Sequence, residues 1–91
     1  MDMSIQLRPH PEVLTQPTIQ SVILLHLHTD RFYELNQTAG RFWELLNAGQ
    51  NLVEIQACML ADYDVDEAQL AGEIADIVTM MCNEGLVIID E

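Results

Sequence analysis

The sequence predicts an α+β domain, a three-stranded antiparallel sheet followed by three helices. Three observations carry that prediction. Between Val22 and Asn36 (VILLHLHTDRFYELN) apolar and polar residues alternate with a period of two. Beyond Asn36 the apolar spacing becomes helical, as in the stripe Ala39, Phe42, Trp43 and Leu46. Helix-opening signals then recur, with Asn51 three residues before Glu54 and Asp64 three before Glu67.

Taken in order, residues 1–12 read as an N-terminal lead-in that docks loosely or is disordered, and residues 13–91 as a single domain. Val13 to Gln16 is a short strand ended by Pro17. It pairs with Ser21 to Leu27, because neighbours in sequence usually pair in space. A three-residue loop, Thr29-Asp30-Arg31, leads into Phe32 to Leu35. That loop length puts Leu27 opposite Tyr33 and Leu25 opposite Leu35 on one buried face. His28 then pairs with Phe32, and His26 with Glu34, on the other. Such loops need a residue in the left-handed conformation, and Asp30 tolerates it better than most side chains. The third strand is an edge.

Asn36 caps a helix over Gln37 to Ala48, with Gly49 just past its end. Asn51 opens a second helix to about Ala61, with Leu52, Ile55 and Met59 inward. Asp64 opens a third, ending at Gly85, with the stripe Leu70, Ile74, Ile77, Val78 and Met81. Leu86 to Ile89 is a short terminal strand. Strands first, then helices joined by short turns, make the predicted fold winged helix-turn-helix-like.

Composition narrows the function. The chain has 91 residues, and its fifteen acids against three Arg and no Lys give a net charge of −12. Nucleic-acid affinity is carried by Lys and Arg, so a phosphate-backbone partner is excluded as the main ligand. The second and third predicted helices, where a DNA-reading winged helix would be basic, contain neither residue type. No apolar run reaches membrane-span length, and the N-terminal residues lack the pattern of a signal peptide, so a cytoplasmic protein with no membrane contact is expected. Cys58 and Cys82 lie far apart and are expected as free thiols.

No catalytic arrangement can be traced. His26 and His28 share a strand face with Glu34 nearby, but no fourth ligand is in range for a metal. The run Asp62-Tyr63-Asp64-Val65-Asp66-Glu67 has the acids of a calcium loop without its glycine or spacing. No Ser/His/Asp or Cys/His set appears, and no glycine-rich phosphate loop. The expectation is a non-enzyme without cofactor or metal. What remains is a surface: an edge strand, Arg31 to Leu35, that carries Phe32 and Tyr33 and has no Pro, followed by an amphipathic helix. An extended peptide can add to such an edge, with its side chains dropping toward the third helix.

Arg31-Phe32-Tyr33-Glu34-Leu35-Asn36, Trp43-Glu44-Leu45-Leu46, Tyr63-Asp64-Val65 and Glu84-Gly85-Leu86 together resemble the PqqD-like peptide-recognition domains, over about Val13 to Ile89. The family more often has glycine where this chain has Asp30. The resemblance implies binding of the leader segment of a ribosomally made precursor peptide. In the family that leader adds as a strand beside the third strand and packs on the third helix. Carried over, the leader-binding residues are Asp30, Arg31, Phe32, Tyr33, Glu34, Leu35 and Asn36, with Leu70, Glu73, Ile74 and Ile77. Within the family the chain is more similar to stand-alone proteins of lasso-peptide pathways, whose companions are a leader peptidase and a cyclase, than to those of pyrroloquinoline quinone synthesis. A regulatory winged-helix subunit that docks a folded protein is the rival reading.

Overall fold

The computed structural model describes residues 4–19 and 21–90. Met1 to Met3 of the expected lead-in and Glu91 of the expected domain lie outside the described residues. The chain runs β1 (Gln6–Pro9), β2 (Val13–Pro17), β3 (Val22–His26), β4 (Arg31–Leu35), α1 (Gln37–Asn47), α2 (Leu52–Asp62), α3 (Glu67–Asn83) and β5 (Val87–Asp90). β2, β3 and β4 form the predicted antiparallel meander, with β4 at its edge. β1 and β5 pair antiparallel in a second, two-stranded sheet, Leu7 opposite Ile89. Part of the expected lead-in is therefore a strand of the fold.

The register of the β3–β4 hairpin corrects the expectation. Tyr33 faces Leu24, Phe32 faces Leu25 and Leu35 faces Val22. The turn spans four residues, Leu27 to Asp30, and closes with the Asp30 N–H donating to the His26 carbonyl at 2.8 Å. Asp30 adopts the left-handed conformation, with φ 57°. An odd shift in register turns β3 over. Leu24 and His26 point into the core beside Tyr33 and Leu35, whereas Leu25, Leu27 and Ile23 join Phe32 and Glu34 on the outer face.

His26 explains the choice. It is only 3% exposed, on the core face and not on the opposite face where the expected register placed it with Glu34, and both ring nitrogens are engaged. Its Nδ1 accepts from the His28 N–H at 3.2 Å, and its Nε2 lies 3.1 Å from the Gly85 carbonyl. Since Nδ1 is the acceptor, the neutral ring carries its proton on Nε2 and donates it to Gly85. The His10 ring sits 4.8 Å away, so His26 joins the β1–β2 connection, the hairpin and the end of α3. A buried polar group with partners on both sides costs little, whereas the same group without them costs about 1–3 kcal/mol.

The helices form where the caps dictate. The Asn36 side chain accepts from the Ala39 N–H at 2.9 Å. Asn51 and Glu54 complete a reciprocal capping box. The cap of α3 is Asp66, which accepts from the Gln69 N–H, and not the expected Asp64. Tyr63 is extended (φ −120°, ψ 142°), so the chain runs on past Asp64 before it coils. α1 and α3 both end in Schellman turns. Gly49 and Gly85 have φ 92° and 68°, and the Gln50 and Leu86 N–H groups reach back to the Leu45 and Met81 carbonyls.

Phe42, Trp43, Leu46, Leu52, Ile55, Met59, Leu70, Ile74 and Met81 meet Leu24 and Leu35 in one core. The Trp43 indole N–H donates to Thr15 Oγ1 at 2.9 Å, which ties α1 to β2. Arg41 bridges α1 and the end of α2. Its Nε donates to Asp62 at 2.8 Å and its Nη1 to Glu44 at 2.9 Å. The Asp62 hydrogen bond, with the charges of both carboxylates, holds this guanidinium above its ordinary range. Cys58 and Cys82 are free thiols, as expected.

Candidate functional site

The open edge of β4 has a definite backbone phase. The Leu27 N–H donates to the Glu12 carbonyl at 2.9 Å and the Thr18 N–H to the Ser21 carbonyl at 2.8 Å. Both bonds continue the β2–β3 register, in which Val13 faces His26. In an antiparallel ladder a residue's N–H and C=O point to the same side, and successive residues alternate. Leu27, Leu25, Ile23 and Ser21 therefore bond toward β2, and His26, Leu24 and Val22 toward β4. Their partners Arg31, Tyr33 and Leu35 bond inward. The N–H and C=O groups of Phe32 and Glu34 face outward, with no backbone partner among the described residues.

Beside that edge lies a cleft of about 360 Å³ between β4, α1 and α3. Leu35, Ala39, Ile77 and Met80 give it an apolar floor, and Glu34, Asn36, Thr38, Glu73 and Asp76 surround it. The α3 wall follows from helix geometry: Glu73 and Ile77, and Asp76 and Met80, are each four residues apart and so share a face. At the other end of the strand, Arg31 reaches Glu84 at the end of α3 (3.8 Å). β4 and α3 thus run antiparallel along the cleft.

The expected site residues divide into three groups. Glu34, Leu35, Asn36, Glu73 and Ile77 line the cleft together. Asp30, Arg31, Phe32 and Tyr33 lie along the strand and its turn; Phe32 is 71% exposed on the outer face, and Tyr33 is half-buried against the core. Leu70 and Ile74 lie in the core itself, 1% and 0% exposed, and present nothing to the cleft surface. Sequence reasoning missed Thr38, Ala39, Asp76 and Met80. For Asp76 and Met80 the available signal was the helical spacing that continues from Glu73. Among the described residues no group of three His, Cys, Asp or Glu side chains is placed to hold a metal ion. Nor is any described helix long and apolar enough to cross a membrane.

An open sheet edge beside a cleft with an apolar floor, on a small winged-helix-like scaffold, is a geometry to which an extended chain can add as a further strand. The chain belongs to the PqqD family: the family described as coenzyme PQQ synthesis protein D matches residues 21–87. Its fold is similar to that of TbiB1 in complex with the TbiA(beta) leader peptide, with a TM-score of 0.84 and 28% identity over 88% of this chain and 93% of that one. It is also similar to a lasso peptide synthetase B1 complexed with the leader peptide, with a TM-score of 0.82 and 23% identity over 91% of this chain and 98% of that one. No curated protein sequence matches the chain.

Proposed function

We propose that the chain is a non-catalytic binding protein that captures the leader segment of a ribosomally synthesised precursor peptide. The leader adds as a strand to β4 and is presented to processing enzymes, a leader peptidase and a cyclase of the lasso-peptide type, in the cytoplasm. The observation that carries this reading is the outward-facing, unpartnered backbone of Phe32 and Glu34 beside the apolar cleft. Backbone bonds supply affinity and register, and the cleft supplies selectivity. The TbiB1 complex with its leader peptide supports the choice of ligand. Asp30, Arg31 and Asn36 bound the segment of edge the leader covers. Leu70 and Ile74 act from beneath, by fixing α3 against the sheet. Neither metal nor cofactor has a part in this binding.

A second reading, a peptide chaperone in pyrroloquinoline quinone synthesis, is favoured by the description of the matching family. Hydrogen exchange with synthetic leaders from both kinds of precursor tests the two together. Protection of residues 31–36 and 73–80 by a lasso-type leader is the expected result. Protection only by the quinone-type precursor selects the second reading. Protection confined to residues 52–61, with β4 unchanged, removes strand addition and favours docking of a folded protein.

A further inference from the structure

We propose that the peptide this cleft takes carries a Lys or Arg opposite Leu35, its aliphatic stem on the cleft floor and its cation between Glu73 and Asp76. The inference rests on strand addition to β4 and specifies the chemistry of the strand that is added.

The register follows from the backbone phase. A peptide added antiparallel to β4 exchanges hydrogen bonds with Phe32 and Glu34, the two residues whose polar groups face outward. Residues directly opposite one another in a sheet share a face. Peptide side chains opposite Phe32 and Glu34 therefore join the outer face, and those opposite Tyr33 and Leu35 point toward α3. Leu35 is the β4 residue whose inward side chain lines the cleft, together with Ala39, Ile77 and Met80. The peptide residue opposite it enters that cleft.

The chemistry of the cleft selects that residue. Every ionisable group that lines it is an acid: Glu34, Glu73 and Asp76. α1 contributes only Thr38 and Ala39, and the strand end Asn36. None of the three acids is in an ion pair among the described residues. Arg31 is held by Glu84, and Arg41 by Glu44 and Asp62. Glu73 and Asp76 are three apart on one helix face, where like charges repel. An apolar side chain in the cleft would use the floor and leave both carboxylates without a partner. A Lys or Arg lays its methylenes on the same floor and brings its charge to the rim, as long basic side chains do at apolar surfaces. An acidic residue there would meet the like charge of Glu73 and Asp76.

Selection from a phage library of random twelve-residue peptides tests this, run in parallel on the wild-type protein and on the double variant Glu73→Gln, Asp76→Asn. Both substituted positions are exposed on α3, so the variant keeps its fold, which its melting temperature verifies. The strongest wild-type binder is then compared with its Lys→norleucine counterpart by fluorescence anisotropy at 50 and 500 mM salt. The expected result is enrichment of one basic position and a roughly three- to tenfold loss for norleucine, the range for one or two partly exposed ion pairs. That loss shrinks at high salt and disappears in the double variant. Binders that protect residues 31–36 from exchange but show no basic preference, or a preference the double variant retains, overturn this inference and leave strand addition standing. Failure of any selected peptide to protect residues 31–36 overturns both.

Discussion

Alternation along β4 makes proline a directional probe. Glu34→Pro deletes an N–H that faces the open edge and breaks no bond of the β3–β4 ladder, and proline is tolerated in edge strands in that orientation. Tyr33→Pro deletes the N–H that bonds to Leu24, strands the carbonyl of a fully buried residue and removes a half-buried ring. A buried group left unsatisfied costs about 1–3 kcal/mol, and the lost ring adds to it. For a 91-residue chain, 1 kcal/mol moves the melting temperature by about 4–8 °C, so Tyr33→Pro is expected to melt well over 5 °C below Glu34→Pro. In leader affinity Glu34→Pro loses one backbone hydrogen bond, about 0.5–1.5 kcal/mol net, or roughly 2- to 13-fold. Thermal melts by circular dichroism and leader titration by calorimetry read the two quantities separately. A Glu34→Pro protein that is folded and binds leader as wild type does would refute strand addition at this edge. Equal destabilisation by the two prolines would refute the backbone phase.

Other expectations concern the scaffold. Asn36→Ala removes the cap that accepts from the Ala39 N–H and is expected to cost about 0.5–2 kcal/mol by urea denaturation. Gly85→Ala places a Cβ on a residue at φ 68° and is expected to cost about 1–2 kcal/mol, with amide exchange rising first near Leu86. His26→Phe keeps a ring but leaves the Gly85 carbonyl and the His28 N–H without their partner; a loss of about 1–3 kcal/mol in the same assay is expected, and no loss would contradict a stabilising role for these two hydrogen bonds. Chelation by EDTA is expected to leave leader affinity unchanged.

The sheet, the helices and most of the core were legible because their signals are local. Asn36 and Asn51 announce their helices, and the stripes of α1 and α2 are buried as their spacing requires. The face of β3 was not legible. Val22 to Leu25 is apolar at every position, so a period of two fits either face. The choice lies with His26, whose partners stand 59 residues away at Gly85 and in the turn itself. β1 escaped for a similar reason: four residues ending in Pro9 are a strand only because β5 comes back to meet them. At the cleft, the strand wall was visible in the edge sequence. On the helix wall Glu73 and Ile77 were legible, whereas Leu70 and Ile74, no more apolar than Ile77, lie in the buried stripe of α3. The cleft takes the neighbouring face through Glu73, Asp76 and Ile77, and one residue turns a helix by about 100°.

On β4, Tyr33 and Leu35 bond to β3 and send their side chains toward the core, whereas Phe32 and Glu34 face the open edge and send theirs to the outer face. Under the proposed strand addition, stability and binding are therefore carried by alternate residues of one short strand. Side chains at Phe32 and Glu34 can change with little effect on the fold, while their backbone still offers the same hydrogen bonds to any extended peptide. Affinity from the backbone is indifferent to the peptide's sequence, so discrimination falls to the cleft, where Leu35, Ala39, Ile77 and Met80 meet Glu73 and Asp76. Two proteins of this fold with the same edge are thus expected to differ in ligand through α3. Exchanging residues 73, 76, 77 and 80 between two such proteins is expected to move peptide preference with them and to leave melting temperature within a few degrees, since all four lie outside the most buried stripe of the helix. Preference that stays with β4 after the exchange would show that the strand's own side chains choose the ligand.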